Sequence, residues 1–433
     1  MGAFFIPMKS IKEIYQLYLD CTAACTDTRS IEENSIFFAL KGPNFNANTL
    51  AYKALEDGAS YAIVDEEKYV LDNRYILVKD ALESLQQLAK HHRQQLKCPI
   101  IAITGTNGKT TSKELCLQVL KQKYKTTATK GNLNNHIGVP LSLLSIPLDT
   151  EMAIIEMGAN HLDEIDFLCR LAEPDFGVIT NVGKAHLEGF GSLEGVLKTK
   201  TELYRYLNEQ EGFIFHKDNQ QILIEQLPEN CEHYSYGQLN SSTCRVEMLG
   251  AQPFVSVKVD NQTINSRLIG AYNYDNIALS IAMGLHFEVP IGDIKVTIEN
   301  YNPQNNRSQI VEKENNTILL DAYNANPMSI EKAIENIQSI EHSNKVMILG
   351  DMFELGEESK KEHLNIINHC LSSGVNHVYL VGLEFHSVNA TQFASFKTTN
   401  ELALYIKKHP IKDAFVLIKG SRGMKLESLL EDL

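Results

Sequence analysis

Residues 99–122 read PIIAITGTNGKTTSKELCLQVLKQ. PIIAI is a short, unbroken apolar run, the pattern of a strand buried on both faces, and KELCLQVLKQ spaces its apolar residues as a helix does. Between them, Thr104 to Thr111 form the glycine-rich turn TGTNGKTT. In a strand–turn–helix unit the backbone N–H groups of such a turn and the helix N-terminus converge on one point and can cradle phosphates. Gly105, Thr106, Asn107, Gly108, Lys109, Thr110 and Thr111 are the candidate phosphate-binding residues, with Lys109 neutralising the β and γ oxygens and Thr110 offering its hydroxyl to Mg²⁺. Ile103 stands where the usual phosphate loop has its first glycine, and the plainer alternative is an ordinary strand-to-helix turn.

Outward from this unit, Glu151 to Met157 and Asp175 to Asn181 read as further buried strands separated by helix-length segments, the grammar of a mostly parallel sheet. Glu156 ends its strand, where packing tolerates a carboxylate poorly and a Mg²⁺ at the strand's carboxyl end would use one; a solvent-facing edge carboxylate is the alternative. His186 follows the third strand and belongs to the same crevice, where a neutral imidazole can ligate metal. Lys200 lies on the helical stretch LEGVLKTKTELYRYL, for which a solvated helix face is the plain reading.

The flanks have their own patterns. Residues 34–96 alternate short apolar runs (SIFFAL, YAIVDE, RYILVKD) with helical stretches, a small α/β unit whose second helix is broken by Cys98-Pro99. Between Gly212 and Gly270 the pieces GFIFH, HYSYG, CRVEMLG and FVSVKV suggest an antiparallel addition to the central unit, followed by a helix from Asn273 to Leu285. From Thr317 onward ILLDAY, KVMILGDM, HVYLVG and AFVLIKGS alternate with amphipathic helices. The expected fold class is therefore α/β with three domains: a small N-terminal α/β domain over 1–97, a central phosphate-loop domain with a mostly parallel sheet and a β-rich addition over 98–310, and a C-terminal Rossmann-like domain over 311–433.

Composition agrees and excludes other classes. The 433 residues at roughly 150 per domain suit three units, and 43% apolar content can give each a core. Lys plus Arg is 40 against 54 Asp plus Glu, a formal charge of −14, the wrong sign for covering nucleic-acid phosphates. The eight cysteines form no CxxC pair, as expected of a reducing cytoplasm. Ala3–Pro7 is too short for a signal-peptide core, and no stretch approaches the ~18 apolar residues of a membrane span, so no membrane insertion is expected. No heptad seam points to an obligate dimer, and a monomer is expected.

Beyond the phosphate loop, GNLNNHIGVPLSLL (131–144), IIEMGANHLDEI (154–165), TNVGKAHLEGFGSLEGV (180–196), DAYNANPMS (321–329), ILGDMFELG (348–356) and KGSRGMKLE (419–427) resemble motifs of the Mur ligase family, and the resemblance spans essentially the whole chain. It implies an ATP-dependent amide ligase of peptidoglycan precursor synthesis, and YNANP with GDMFELG points to the branch that joins D-alanyl-D-alanine to UDP-N-acetylmuramoyl-tripeptide. The implied substrates are ATP, that tripeptide and D-Ala-D-Ala. Alternatives are another ligase of the family, using a different amine or a folate, and a phosphate-loop regulator that uses ATP only as a conformational switch.

The resemblance also implies roles. Lys109 holds ATP phosphates, Thr110 and Glu156 hold one Mg²⁺, and His186 with a carbamoylated Lys200 serves a second. A lysine ammonium repels Mg²⁺, whereas its CO₂ adduct is an anionic oxygen ligand suited to a hard cation. Lys200 is favoured over Lys198 by its spacing from His186. In GAYNYDNIALS, Asn273 and Asn276 match the adenine-binding amides, with Tyr272 where His is usual. Arg307 matches a phosphate-reaching arginine near the hinge, and Asp321 a ribose-binding carboxylate. Thr28, Arg29, Lys41 and Gly42 match the segment for the UDP end, where Asn46 and Asn48 replace the common Asp and His. Asn135, His136, Tyr323, Asn324, Asn326 and Asp351 complete the implied substrate set, and Asn326-Pro327 also reads as a helix cap.

Overall fold

The computed structural model describes residues 8–303, 306–375, 377–389 and 392–433; the Ala3–Pro7 run lies outside the described residues. The chain builds three parallel-dominated sheets in succession. The first has four parallel strands in the order Ala24–Cys25, Ile36–Phe38, Tyr61–Val64 and Tyr75–Leu77. Its helix Ala81–Arg93 packs on Gly138–Leu144 of the central unit, so one apolar core runs continuously between the two. That helix ends at Arg93 with Gln94 as its cap, short of Cys98-Pro99.

The central sheet has seven strands, all parallel, in the order Cys244–Arg245, Glu232–Gly237, Phe213–Lys217, Phe176–Ile179, Ile100–Thr104, Met152–Glu156 and Thr126–Ala128. Ile100–Thr104 lies between Phe176–Ile179 and Met152–Glu156, and all five of its residues are buried. The loops leaving these three strands open at their carboxyl ends, the place where open parallel sheets bind ligands. The expected antiparallel addition is corrected here: GFIFH, HYSYG and the first two residues of CRVEMLG extend the parallel sheet. Only Glu247–Gly250, Phe254–Val259 and Gln262–Ile269 form a separate antiparallel sheet. The reason is local: Phe213–Lys217 and Glu232–Gly237 are joined through a short helix, Gln221–Ile224, which returns the chain in the same direction.

The last sheet has six strands, parallel except for Gln309–Lys313, which pairs antiparallel with Asn316–Asp321 and straddles the expected boundary at 310. Among the described residues no helix is long and apolar enough to cross a membrane. All eight cysteines are free thiols.

Candidate active site

The phosphate loop is shaped by two glycines. Gly105 has φ +139° and a Cβ there would lie 2.0 Å from Thr180 Oγ1; Gly108 has φ +82° and a Cβ would lie 2.6 Å from Asn276 Oδ1. Both positions therefore exclude side chains by backbone conformation and by space. The segment after Phe176–Ile179 braces the turn: Asn107 N–H donates to Asn181 Oδ1 (3.0 Å), Thr180 Oγ1 donates to the Asn107 carbonyl (2.6 Å), and Gly183 N–H donates to Thr106 Oγ1 (3.0 Å). Lys109 folds back to donate to the carbonyls of Gly105 (2.6 Å) and Thr106 (3.2 Å). Burial pulls its pKa below the usual lysine value; Glu156 opposes that shift and Arg307 adds to it.

Glu156 is 1% exposed and fully engaged. Its Oε2 accepts from Thr110 Oγ1 at 2.9 Å and its Oε1 from Asn134 Nδ2 at 2.7 Å. Lys113 stands behind it, 0% exposed, donating to the Thr129 carbonyl at 2.6 Å and lying 3.0 Å from Glu114 and 3.8 Å from Glu156. Sequence reading missed Lys113 and Asn134. Lys113 lies on the same helix stripe as the buried Cys116 and Leu120, a lysine placed among core positions, which is a readable sign of a buried charge.

These groups line a cavity of about 500 Å³ between the central and last sheets. It gathers the whole loop from Gly105 to Thr111 with Glu156, His186, Lys200, Asn273, Asn276, Arg307 and Asp321, and with Asn135, His136, Tyr323, Asn324 and Asn326. Lys200 is buried whereas Lys198 is exposed. Burial, reinforced by the charge of Lys109, brings the Lys200 pKa down to about 7, and its ammonium sits 5.7 Å from the centre of the Phe190 ring. His186 has its pKa lowered, chiefly by burial, and its Nδ1 meets the Glu354 carboxylate from the last sheet's side. Asn273 and Asn276 are largely committed to the protein: Asn276 Nδ2 donates to Asn273 Oδ1, Asn273 Nδ2 donates to the Ile269 carbonyl, and Asn276 Oδ1 accepts from Ser112 Oγ.

Several polar contacts join the two sides of the cavity. Asn326 Nδ2 donates to Asn107 Oδ1 at 2.8 Å, tying YNANP to the phosphate loop, and Lys184 pairs with the buried Glu362 at 2.8 Å. Asn326 also caps the helix Pro327–Ser339 by accepting from Ser329 N–H. Asp321 is held by Lys419, and the Arg307 guanidinium lies over Tyr323, 3.7 Å from the ring centre.

Five of the expected residues lie elsewhere. Asp351 does not line the cavity; it is 4% exposed and its carboxylate accepts the N–H groups of Glu384 and Phe385, an N-terminal helix cap. Thr28, Arg29, Lys41 and Gly42 sit on the first unit, away from the cavity, with Arg29 paired to Asp27 and Lys41 to Asp65 and Glu66. Asn46 caps the short helix Ala47–Leu50, and Asn48 donates to Asp65 at 2.7 Å, both structural uses.

Comparison with known proteins agrees with this layout. Residues 103–284 match the Mur ligase middle domain and residues 306–422 the Mur ligase glutamate ligase domain. UDP-N-acetylmuramoyl-tripeptide–D-alanyl-D-alanine ligase of Bacillus subtilis is 32% identical, aligned over 94% of this chain and 92% of its own length; the Escherichia coli ligase is 31% identical over 95% and 93%. The structure superimposes on MurF from Acinetobacter baumannii with a TM-score of 0.85 at 27% identity, covering 99% of both chains. It superimposes on MurF ligase from Thermotoga maritima in complex with ADP with a TM-score of 0.83 at 26% identity, covering 96% of this chain and 97% of that one. Shared sequence over nearly the full length and a shared fold lead to one conclusion: this chain belongs to the Mur ligase family.

Proposed function

We propose that the chain is an ATP-dependent carbon–nitrogen ligase that joins D-alanyl-D-alanine to UDP-N-acetylmuramoyl-tripeptide, giving the pentapeptide precursor of peptidoglycan, ADP and phosphate. Its ligase class and substrates follow from its relatives. The observation that carries the site assignment is the single cavity in which the phosphate loop, Lys200, His186 and the YNANP segment meet. In this reading residues 1–97 hold the UDP end through Thr28, Arg29, Lys41 and Gly42, residues 98–310 bind ATP, and residues 311–433 deliver the dipeptide; Asp351 shapes that last unit without touching substrate.

The tripeptide's terminal carboxylate attacks the γ-phosphorus of ATP, releasing ADP and forming an acyl phosphate. The dipeptide amine then attacks the acyl carbon, phosphate departs, and the amine's proton is lost. Lys109 and Arg307 offset phosphoryl charge, so positioning and electrostatics supply most of the rate. The contacts Asn107–Asn326 and Lys184–Glu362 hold the last unit over the cavity and keep water from the acyl phosphate.

The donors present fit two magnesium ions. Thr110 and Glu156, already in contact, would hold one, and His186 with a carbamoylated Lys200 the other. A buried amine with a pKa of about 7 is in part unprotonated near neutrality, as reaction with CO₂ requires. When bound, the ions screen charge on the transferring phosphoryl group. Amine profiling tests the reading: product with D-Ala-D-Ala and none with glutamate, free D-Ala or other single amino acids is expected, and ligation of glutamate instead would move the chain to another branch.

A further inference from the structure

KGSRGMKLE is a motif to which the mechanism gives no work. It follows the strand Phe415–Lys419, and the structure laces it to GDMFELG: Ser421 N–H donates to the Asp351 carbonyl at 3.1 Å, and Phe353 N–H donates to Ser421 Oγ at 3.0 Å. A Cβ on Gly423 would lie 2.6 Å from Phe353 Cε2, so the two loops form one close-packed ledge. Arg422 and Phe353 are among the exposed side chains of that ledge, the latter 46% exposed.

Arg422 and Arg307 both lie against Tyr323, a cavity-lining residue, at 5.2 Å and 3.7 Å from its ring centre, and Arg422 Nη1 donates to the Tyr323 hydroxyl at 3.4 Å. Among the described residues neither guanidinium is paired with a carboxylate. Two uncompensated cations on one ring create a corner that attracts anions. Arg307 has a use, the ATP phosphates. Lys419 beside them is neutralised by Asp321. Arg422, held against the cavity-lining Tyr323, is a cation available to a second anionic group.

We propose that Arg422 and Phe353 form the subsite for the incoming dipeptide, Arg422 gripping its carboxylate and Phe353 covering its methyl side chains. The inference rests on the ligase reading above. An extended dipeptide spans roughly 7 Å, so with its amine at the acyl carbon its carboxylate lies one such length away and needs a cation there. Following Phe353, Glu354 lines the cavity and meets His186. Phe353 packs on the loop that carries Arg422, and Glu354 beside it reaches the cavity, so the three offer a cation, an apolar ring and a carboxylate to the carboxylate, methyl groups and ammonium of the dipeptide. A guanidinium suits the outer end because it can bind a carboxylate through two parallel N–H donors.

The test is steady-state kinetics of the full chain with D-alanyl-D-alanine and with its C-terminal amide, for wild type, Arg422→Met, Arg422→Lys and Phe353→Ala. Arg422→Met is expected to raise the dipeptide KM by about 20-fold or more, with kcat within about threefold and the KM values for ATP and the UDP-tripeptide within about twofold. Wild type is expected to prefer acid over amide by a similar factor, Arg422→Met to lose that preference, and Arg422→Lys to keep part of it. Phe353→Ala is expected to raise the KM for acid and amide alike. A wild type that uses the amide as well as the acid, or an Arg422→Met that keeps the full preference, overturns the subsite. A wild type that binds ATP yet forms no product with any amine overturns the ligase reading itself, and the subsite with it.

Discussion

Thr110 donates its hydroxyl hydrogen bond to Glu156 Oε2 at 2.9 Å, joining the start of the phosphate-loop helix to the end of the neighbouring strand with both side chains buried. A hydroxyl and a carboxylate in contact at the carboxyl edge of a parallel sheet are hard donors suited to Mg²⁺. Glu156→Gln keeps the size of the side chain and removes its charge. ADP affinity in EDTA is expected to stay within about threefold of wild type, while the gain on adding Mg²⁺ falls by about tenfold or more, one lost charge-assisted ligand. Calorimetric titration with and without Mg²⁺ measures both; an unchanged Mg²⁺ gain contradicts the assignment.

Lys113 is a fully buried cation whose partners are Glu114, Glu156 and the Thr129 carbonyl. Lys113→Met leaves the buried Glu156 without that charge beside it, a change that typically costs about 3 kcal/mol. A clear fall in the denaturant midpoint is expected, larger than for Lys198→Met on the exposed face of its helix. Equal stability of the two variants would show that Lys113 carries no structural charge role.

The buried amine of Lys200 has a pKa of about 7 in the folded chain, lowered first by burial and then by Lys109, against roughly 10.4 in the unfolded chain. Between these values the unfolded state holds a proton that the folded state lacks, so the contribution to stability rises with pH from about 7 to about 10 and is flat below that window. In CO₂-free buffer the thermal midpoint is expected to gain more across that range in wild type than in Lys200→Met. Lys200→Ala is expected to lose ligation and to recover part of it with short carboxylic acids. Full activity without them, or an identical pH slope in the two proteins, counts against the assignment.

Asn326 has two separable jobs, capping Pro327–Ser339 through its Oδ1 and reaching Asn107 through its Nδ2. Asn326→Ala removes both and is expected to cost about 1 kcal/mol of stability together with activity. Asn326→Asp keeps the cap but replaces the donor with a carboxylate facing Asn107 Oδ1, so stability is retained and ligation falls. Thermal melts and turnover on the same preparations separate the two effects; normal turnover in Asn326→Asp means the contact with Asn107 is dispensable.

What the sequence revealed follows physical rules. Ile100–Thr104, Met152–Glu156 and Phe176–Ile179 are buried on both faces, so their apolar runs were legible, and the glycine-rich turn stood between two well-marked elements. Phe213–Lys217 and Glu232–Gly237 were legible as strands but not as parallel ones, because strand direction depends on how the intervening residues return. Asp351 sits in GDMFELG, a segment that resembles a family motif, yet its hydrogen bonds go to a helix start more than thirty residues along the chain, which no local pattern reveals. Glu354 escaped notice for the same reason, since its partner His186 is 168 residues away. Lys113, by contrast, was readable from its place on an apolar stripe.

The central claim is that one cavity couples ATP cleavage to amide formation between two particular substrates. The most direct test follows phosphate release from ATP and Mg²⁺ by the purified full chain, with UDP-N-acetylmuramoyl-tripeptide alone, D-alanyl-D-alanine alone and both together, and with mass detection of the product. The account predicts sustained release only with both, matched one to one by the pentapeptide product. Release without that product, or none with both substrates despite ATP binding, would contradict it.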